Sequence, residues 1–168
     1  VNQQTPAEQA MTTRIGQAVM LLHGGDREEA RNRFSALWAE LDHDRDHLHR
    51  VTVAHYMADT QDDPQAELAW DLRALGAAEA LAGARAGFGG HEVVVRGLYP
   101  SLHLNLAADY LKLAQHTAAR RELDRCHAVL DALGDDAYGS GVRAAVGRLE
   151  LRLAEAGGEP QRPDGQSP

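Results

Sequence analysis

The sequence predicts an all-α chain, and three observations carry that prediction. Alanine and leucine dominate while Val, Ile, Phe, Tyr and Trp are sparse, so helix formers are abundant and strand formers depleted. Helix-start signals recur at Thr5, Asp26 and Asp62, each a capping side chain followed by proline or a carboxylate. Between these signals apolar residues return every three or four positions, the period of a helix.

The elements follow in order. Thr5-Pro6-Ala7-Glu8 opens a first helix, which runs to about His23 and stops at Gly24-Gly25. Asp26-Arg27-Glu28-Glu29 opens a second, with Ala30, Phe34, Leu37, Trp38 and Leu41 on its core side. The charged stretch Leu41 to His47 reads as a turn. A third helix carries Val51, Val53, Ala54, Met57 and Ala58. Asp62-Asp63-Pro64 starts a fourth, through Leu68, Trp70, Leu72, Leu75 and Leu81, and glycine-rich Ala84 to Gly90 reads as a loop or a frayed end. Val93-Val94-Val95 has strand propensity but nothing to pair with, which favours helix. Pro100 either begins the fifth helix or kinks one that starts near His91. The sixth runs from about Thr117 to Leu133. The seventh carries Val142, Val146, Leu149 and Leu153, and residues 157–168 are expected to form a disordered tail after a domain spanning 1–156.

Composition narrows the function. The chain has 168 residues, 17 Lys and Arg against 25 Asp and Glu, 9 His and a net charge of -8. A net negative surface is a poor match for phosphate backbones, so no nucleic acid is expected. No apolar run approaches the roughly 20 residues of a membrane span, and residues 1–9 lack a signal-peptide pattern. A cytoplasmic protein is therefore expected. The lone Cys126 excludes an internal disulfide framework and a multi-cysteine zinc site.

The helices come in self-similar pairs. When Leu21, Met57 and Tyr110 are aligned, Ala18, Ala54 and Ala107 stand three residues before, and Ala30, Ala66 and Ala119 nine residues after. Phe34, Trp70 and Leu123 follow four further on. Small residues let two helices approach closely, and the large one fills the gap between neighbouring pairs. This pattern, with Asn105-Leu106-Ala107-Ala108-Asp109-Tyr110 and the Gly25-to-Ala30 turn as its best segments, resembles the tetratricopeptide repeat, whose period is about 34 residues. The resemblance covers roughly Arg14 to Asp131. The family's bulky residue seven before the aligned position is here Arg14, Arg50 and His103, and its helix-ending proline is missing, so the repeats are divergent. The resemblance implies a short right-handed solenoid of about three repeats, closed by helix seven.

It also implies a concave groove lined by the first helix of each pair. By position, the first unit gives Thr12, Ile15, Val19, Leu22 and His23. The second gives Leu48, Val51, His55, Ala58 and Asp59. The third gives Ser101, Leu104, Asn105, Ala108, Leu111 and Lys112. Only Asn105 and Lys112 resemble the family's carboxylate clamp. Most of the lining is aliphatic, and exposed apolar surface of that extent marks an interaction site. The expected occupants are a partner protein or peptide, a second copy of the chain, the chain's own helix seven or insert, or, with less support, a small apolar ligand.

Other candidates carry chemistry of their own. Asp42-His43-Asp44-Arg45-Asp46-His47-Leu48-His49 has metal-ligand residue types, and a solvated turn is its ordinary alternative. His55 and Asp59, four apart, suit an oriented general base or an ordinary helix pair. Cys126 replaces a small residue of the repeat, which argues for a buried spacer. Gly87-Phe88-Gly89-Gly90 lacks the Lys-Ser/Thr of a phosphate loop. Trp38 and Trp70 sit at core spacing. No acid, base and nucleophile assemble in the sequence. The expectation is a non-enzymatic adaptor or regulator without cofactor or metal, and the alternative is a metal-binding or hydrolytic protein using Asp42–His49 or His55.

Overall fold

The structure, a computed structural model, describes residues 5–85 and 92–158. Among them are seven helices and no strand: α1 (Pro6–His23), α2 (Arg27–Glu40), α3 (His47–Asp59), α4 (Pro64–Arg85), α5 (Glu92–Lys112), α6 (His116–Val129) and α7 (Ala137–Gly158). A 3-10 turn, Leu130–Ala132, extends α6. None of the described helices is long and apolar enough to cross a membrane. The expected tail lies outside the described residues from 159 onwards, as does the glycine-rich loop over 86–90. Val93 to Val95 are helical, and α5 passes through Pro100 without a break, so the proline sits inside a helix that begins at Glu92.

Local chemistry sets the helix starts. The Glu8 amide donates to Thr5 Oγ1 at 3.3 Å, and the Thr5 amide donates to Glu8 Oε2 at 2.6 Å. Asp26 caps α2 by accepting from the Glu29 amide at 3.3 Å. The Glu29 carboxylate pairs with Arg33 at 2.7 Å, a turn further on. Asp136 accepts from the Gly139 amide at 2.8 Å and opens α7.

Two of the turns close alike. After α1, the Asp26 amide donates to Leu21 O at 3.0 Å and the Gly25 amide to Leu22 O at 3.1 Å. After α5, the Gln115 amide donates to Tyr110 O at 2.8 Å and the Ala114 amide to Leu111 O at 3.0 Å. Leu21 and Tyr110 are the residues that the sequence alignment equates. Such a closure needs one left-handed residue. Gly25 supplies it at φ 92, and Ala114 supplies it at φ 55, the single non-glycine residue with positive φ among the described residues. The turn after α3 differs, with the Thr60 amide and hydroxyl both donating to Met57 O. Arginines of α2 bind this turn from outside. Arg31 donates to Thr60 O, and Arg27 donates to Gln61 O at 2.9 Å and to Asp62 Oδ1 at 2.7 Å.

The core follows the helix order. Phe34, Ile15, Ala18, Ala30, Leu37 and Val53 join α1, α2 and α3, and the Phe34 ring stacks on Tyr56 at 6.0 Å. Val51, Ala54, Ala74, Ala77, Ala78 and Leu102 join α3, α4 and α5. Ala107, Ala119, Leu123, Cys126, Val146, Leu149 and Leu153 join α5, α6 and α7. Each helix therefore packs on its neighbour in sequence, and α7 lies against both α5 and α6. Of the six aligned alanines, five are buried; Ala66 is half-buried, because its large partner Trp70 stands at the edge of the core.

Ala114 is strained where Gly25 is not. Replacing it with glycine removes the clash of its Cβ in the left-handed region. Ala114→Gly is expected to stabilise the chain by about 1 kcal/mol in urea unfolding; an unchanged midpoint would argue against this turn geometry.

Candidate functional site

The groove positions are less apolar at their surface than the sequence implies. Ile15, Val51 and Ala58 are buried core residues and line no surface. Val19 and Leu22 are half-buried against the first core cluster; Leu104, Ala108 and Leu111 are half-buried against the third. The chain's own packing consumes much of the aliphatic stripe. The reason is geometric: a helix covered on both flanks buries an arc wider than one face. Leu48, 37% exposed, keeps the most accessible apolar side chain of the set.

Polar groups hold the rest. Asn105 Nδ2 of α5 lies 3.1 Å from His55 Nδ1 of α3, a contact across 50 residues of chain. With the amide donating, the imidazole is held as its Nε2–H tautomer. Beside His55 stands the Tyr56 ring, edge-on at 5.1 Å, and the His23 ring of α1 meets Tyr56 at 6.3 Å. Lys112 of α5 donates to both oxygens of Glu67 of α4, at 2.6 and 2.7 Å. Asp71 of α4 stands beside Asn105 and Asp109 of α5, and Asp109 in turn stands beside Glu67. Asp59 is exposed beside this group, within the fields of His55, Glu67, Lys112 and His23. Five sequence-predicted residues, His23, His55, Asp59, Asn105 and Lys112, thus belong to one constellation supplied by α1, α3, α4 and α5.

Three members were missed: Glu67, Asp71 and Asp109. A signal existed. Leu68, Asp71, Leu75 and Ala78 run at helical spacing, as do Leu102, Leu106 and Asp109, so each aspartate occupies a core position. Burial, then the neighbouring Asp109 carboxyl and its charge, push Asp71 up to about 9. Burial pushes Asp109 up to about 6, and the neighbouring Asp71 carboxyl holds it back. Desolvation by the neighbouring protein raises Asp59 even at its exposed position, and His55 draws it down. Burial lowers His55, and Asp59 opposes that shift.

The remaining candidates resolve separately. In the Asp42 turn the carboxylates bind their own backbone: Asp42 Oδ1 accepts from the Asp44 amide at 2.8 Å, and Asp46 Oδ2 accepts from the Asp42 amide at 2.8 Å. His49 faces Thr12 Oγ1 at 3.1 Å. Among the described residues no three His, Cys, Asp or Glu side chains are grouped to hold a metal ion. Cys126 is buried, donates to Pro100 O at 3.1 Å, and its thiol is pushed up to about 11 by burial, which suits a spacer. Trp38 and Trp70 meet edge-on at 5.2 Å, half-buried, each covered by an arginine, Arg50 and Arg73. An open depression of about 500 Å³ between α1 and α2, lined by Gln17, Met20, Leu21 and Arg33, takes no part in the constellation. Comparison with protein-family models, curated proteins and solved structures finds no match.

The His55 environment has a direct readout. Its imidazole should titrate below the ordinary histidine range, and Asp59→Asn should move it lower still, because the opposing carboxylate is lost. NMR titration of the ring carbons measures both; a His55 midpoint unchanged by Asp59→Asn would separate the two residues.

Proposed function

We propose that the chain is a non-enzymatic, tetratricopeptide-like interaction module of the cytoplasm. In this reading α1–α2, α3–α4 and α5–α6 are three repeats of a short right-handed solenoid closed by α7. Its concave surface, formed by α1, α3 and α5, binds a segment of a partner protein or a second copy of the chain. The observation that carries the reading is the contact of Asn105 with His55, which joins the first helices of two pairs in one hydrogen-bonding surface. An amide and an imidazole side by side suit the alternating donors and acceptors of a peptide backbone. The half-buried aliphatic residues Leu22, Leu104 and Leu111 offer shallow seats for side chains. The matching closures at Leu21 and Tyr110 support the repeat assignment. The alternative, metal or hydrolytic chemistry at Asp42–His49 or His55, has weaker support: the Asp42 turn carboxylates bind their own backbone, and His55 faces an amide rather than a nucleophile.

A displayed peptide library selected against the chain tests the reading. Enriched peptides should lose about tenfold in affinity with Asn105→Ala, the loss of roughly one hydrogen bond. Leu111→Glu should weaken them further, and Ser35→Ala, on exposed α2, should not. Peptides indifferent to both concave variants would contradict the proposal. A dimer abolished by the same two variants would make the occupant a second copy.

A further inference from the structure

Two carboxyl groups at the seam between α4 and α5 lack the partners that buried charges require. Asp71 is 3% exposed and Asp109 2%. Asp71 Oδ1 and Asp109 Oδ2 are buried and have no hydrogen-bond partner. The two carboxyl groups face each other across the seam, each the other's leading polar neighbour. Two carboxylates in contact and out of water cannot both ionise; one proton between them converts a repulsion into a charge-assisted hydrogen bond.

The surroundings reinforce the need. From α3, Asp59 faces the pair; from α4, Glu67; from α5, Asn105 and Lys112; His55 of α3 and His23 of α1 act through Asp59. Lys112 is the nearby cation, and both of its short bonds go to Glu67. His55 is held towards its neutral form by burial. Asn105 reaches Asp71 on one side and His55 on the other, so the seam connects to the concave surface.

We propose that Asp71 and Asp109 form a proton-dependent latch: one shared proton holds α4 on α5, and its loss in alkaline solution loosens that seam and the surface carrying Asn105. The latch stands whether or not that surface binds a peptide. Its sign is opposite to that of an ordinary surface carboxylate. The native chain keeps a proton that the unfolded chain releases near the ordinary value of 3.8, and it keeps it up to about 9. The contribution is therefore complete below about pH 4 and is lost progressively as pH rises towards 9. Asp62, held below the usual range by Arg27 and Arg31, behaves the other way: its contribution is complete above that range and is lost as pH falls below it.

Carbon-13 NMR of aspartate carboxyl groups in the native chain reads the proton directly. One buried carboxyl should stay protonated at pH 7 and titrate in the alkaline range, and its signal should vanish in Asp71→Asn. The amide of that variant donates the same hydrogen bond without a proton to lose. Between pH 6 and 9 the unfolding equilibrium constant of the wild type should rise by about tenfold per pH unit relative to Asp71→Asn, the slope of one linked proton. Two ionised carboxylates at pH 7, or parallel pH profiles for wild type and variant, would overturn the latch. Should Asp71→Asn fail to fold, Asp109→Asn serves as the second variant, and the wild-type NMR titration decides by itself.

Discussion

Close approach of helices at alanine is the constraint on which the rest of this structure depends. Ala18, Ala30, Ala54, Ala107 and Ala119 are sealed at contacts where any larger side chain would part the helices. A methyl group brings helix axes to the near end of the usual 8–10 Å range. Phe34, Leu37, Leu102, Leu106 and Leu123 then fill the spaces beside those contacts. With α3 tight on α4, and α5 tight on both α4 and α6, the polar side chains between them have little freedom of placement. Asn105 reaches His55 only because α5 lies this close to the α3–α4 pair.

Polar groups then decide what apolar packing leaves open. Arg27 and Arg31 fasten the α3–α4 turn to α2, where backbone carbonyls lack helical partners. Arg143 does the same for Leu133 O and Gly134 O before α7. His103 and Glu122, 2.8 Å apart and both largely buried, join α5 to α6. The carboxyl pair at the α4–α5 seam is of another kind. Leucines at those two positions would pack and stabilise; aspartates bring desolvation that one shared proton only partly offsets. The proposed latch would make this seam answer to pH, and the seam lies beside the contact of Asn105 with His55.

Much of the architecture was legible in the sequence because capping and spacing are local. Thr5, Asp26, Pro64 and Gly24-Gly25 marked helix ends within a residue or two, and the alanine pattern located the close contacts. The site was legible in part. His23, His55, Asp59, Asn105 and Lys112 were found by position, yet they were read as the polar edge of an aliphatic groove. Ile15 and Val51 proved to be core, since spacing along one helix does not show how much of it its neighbours cover. Glu67, Asp71 and Asp109 were missed because a search for apolar periodicity passes over a carboxylate at a core position. Ala114 was missed because nothing in its side chain announces a left-handed backbone.

If alanine contacts position the other helices, enlarging one of them should part those helices. Ala107→Leu places an isobutyl group between α5 and α6, while Ala39→Leu makes the same change on an exposed face of α2. The account predicts that Ala107→Leu costs about 1–3 kcal/mol in urea unfolding, and that Ala39→Leu stays within about 0.5 kcal/mol of the wild type. Equal tolerance of the two substitutions would contradict it.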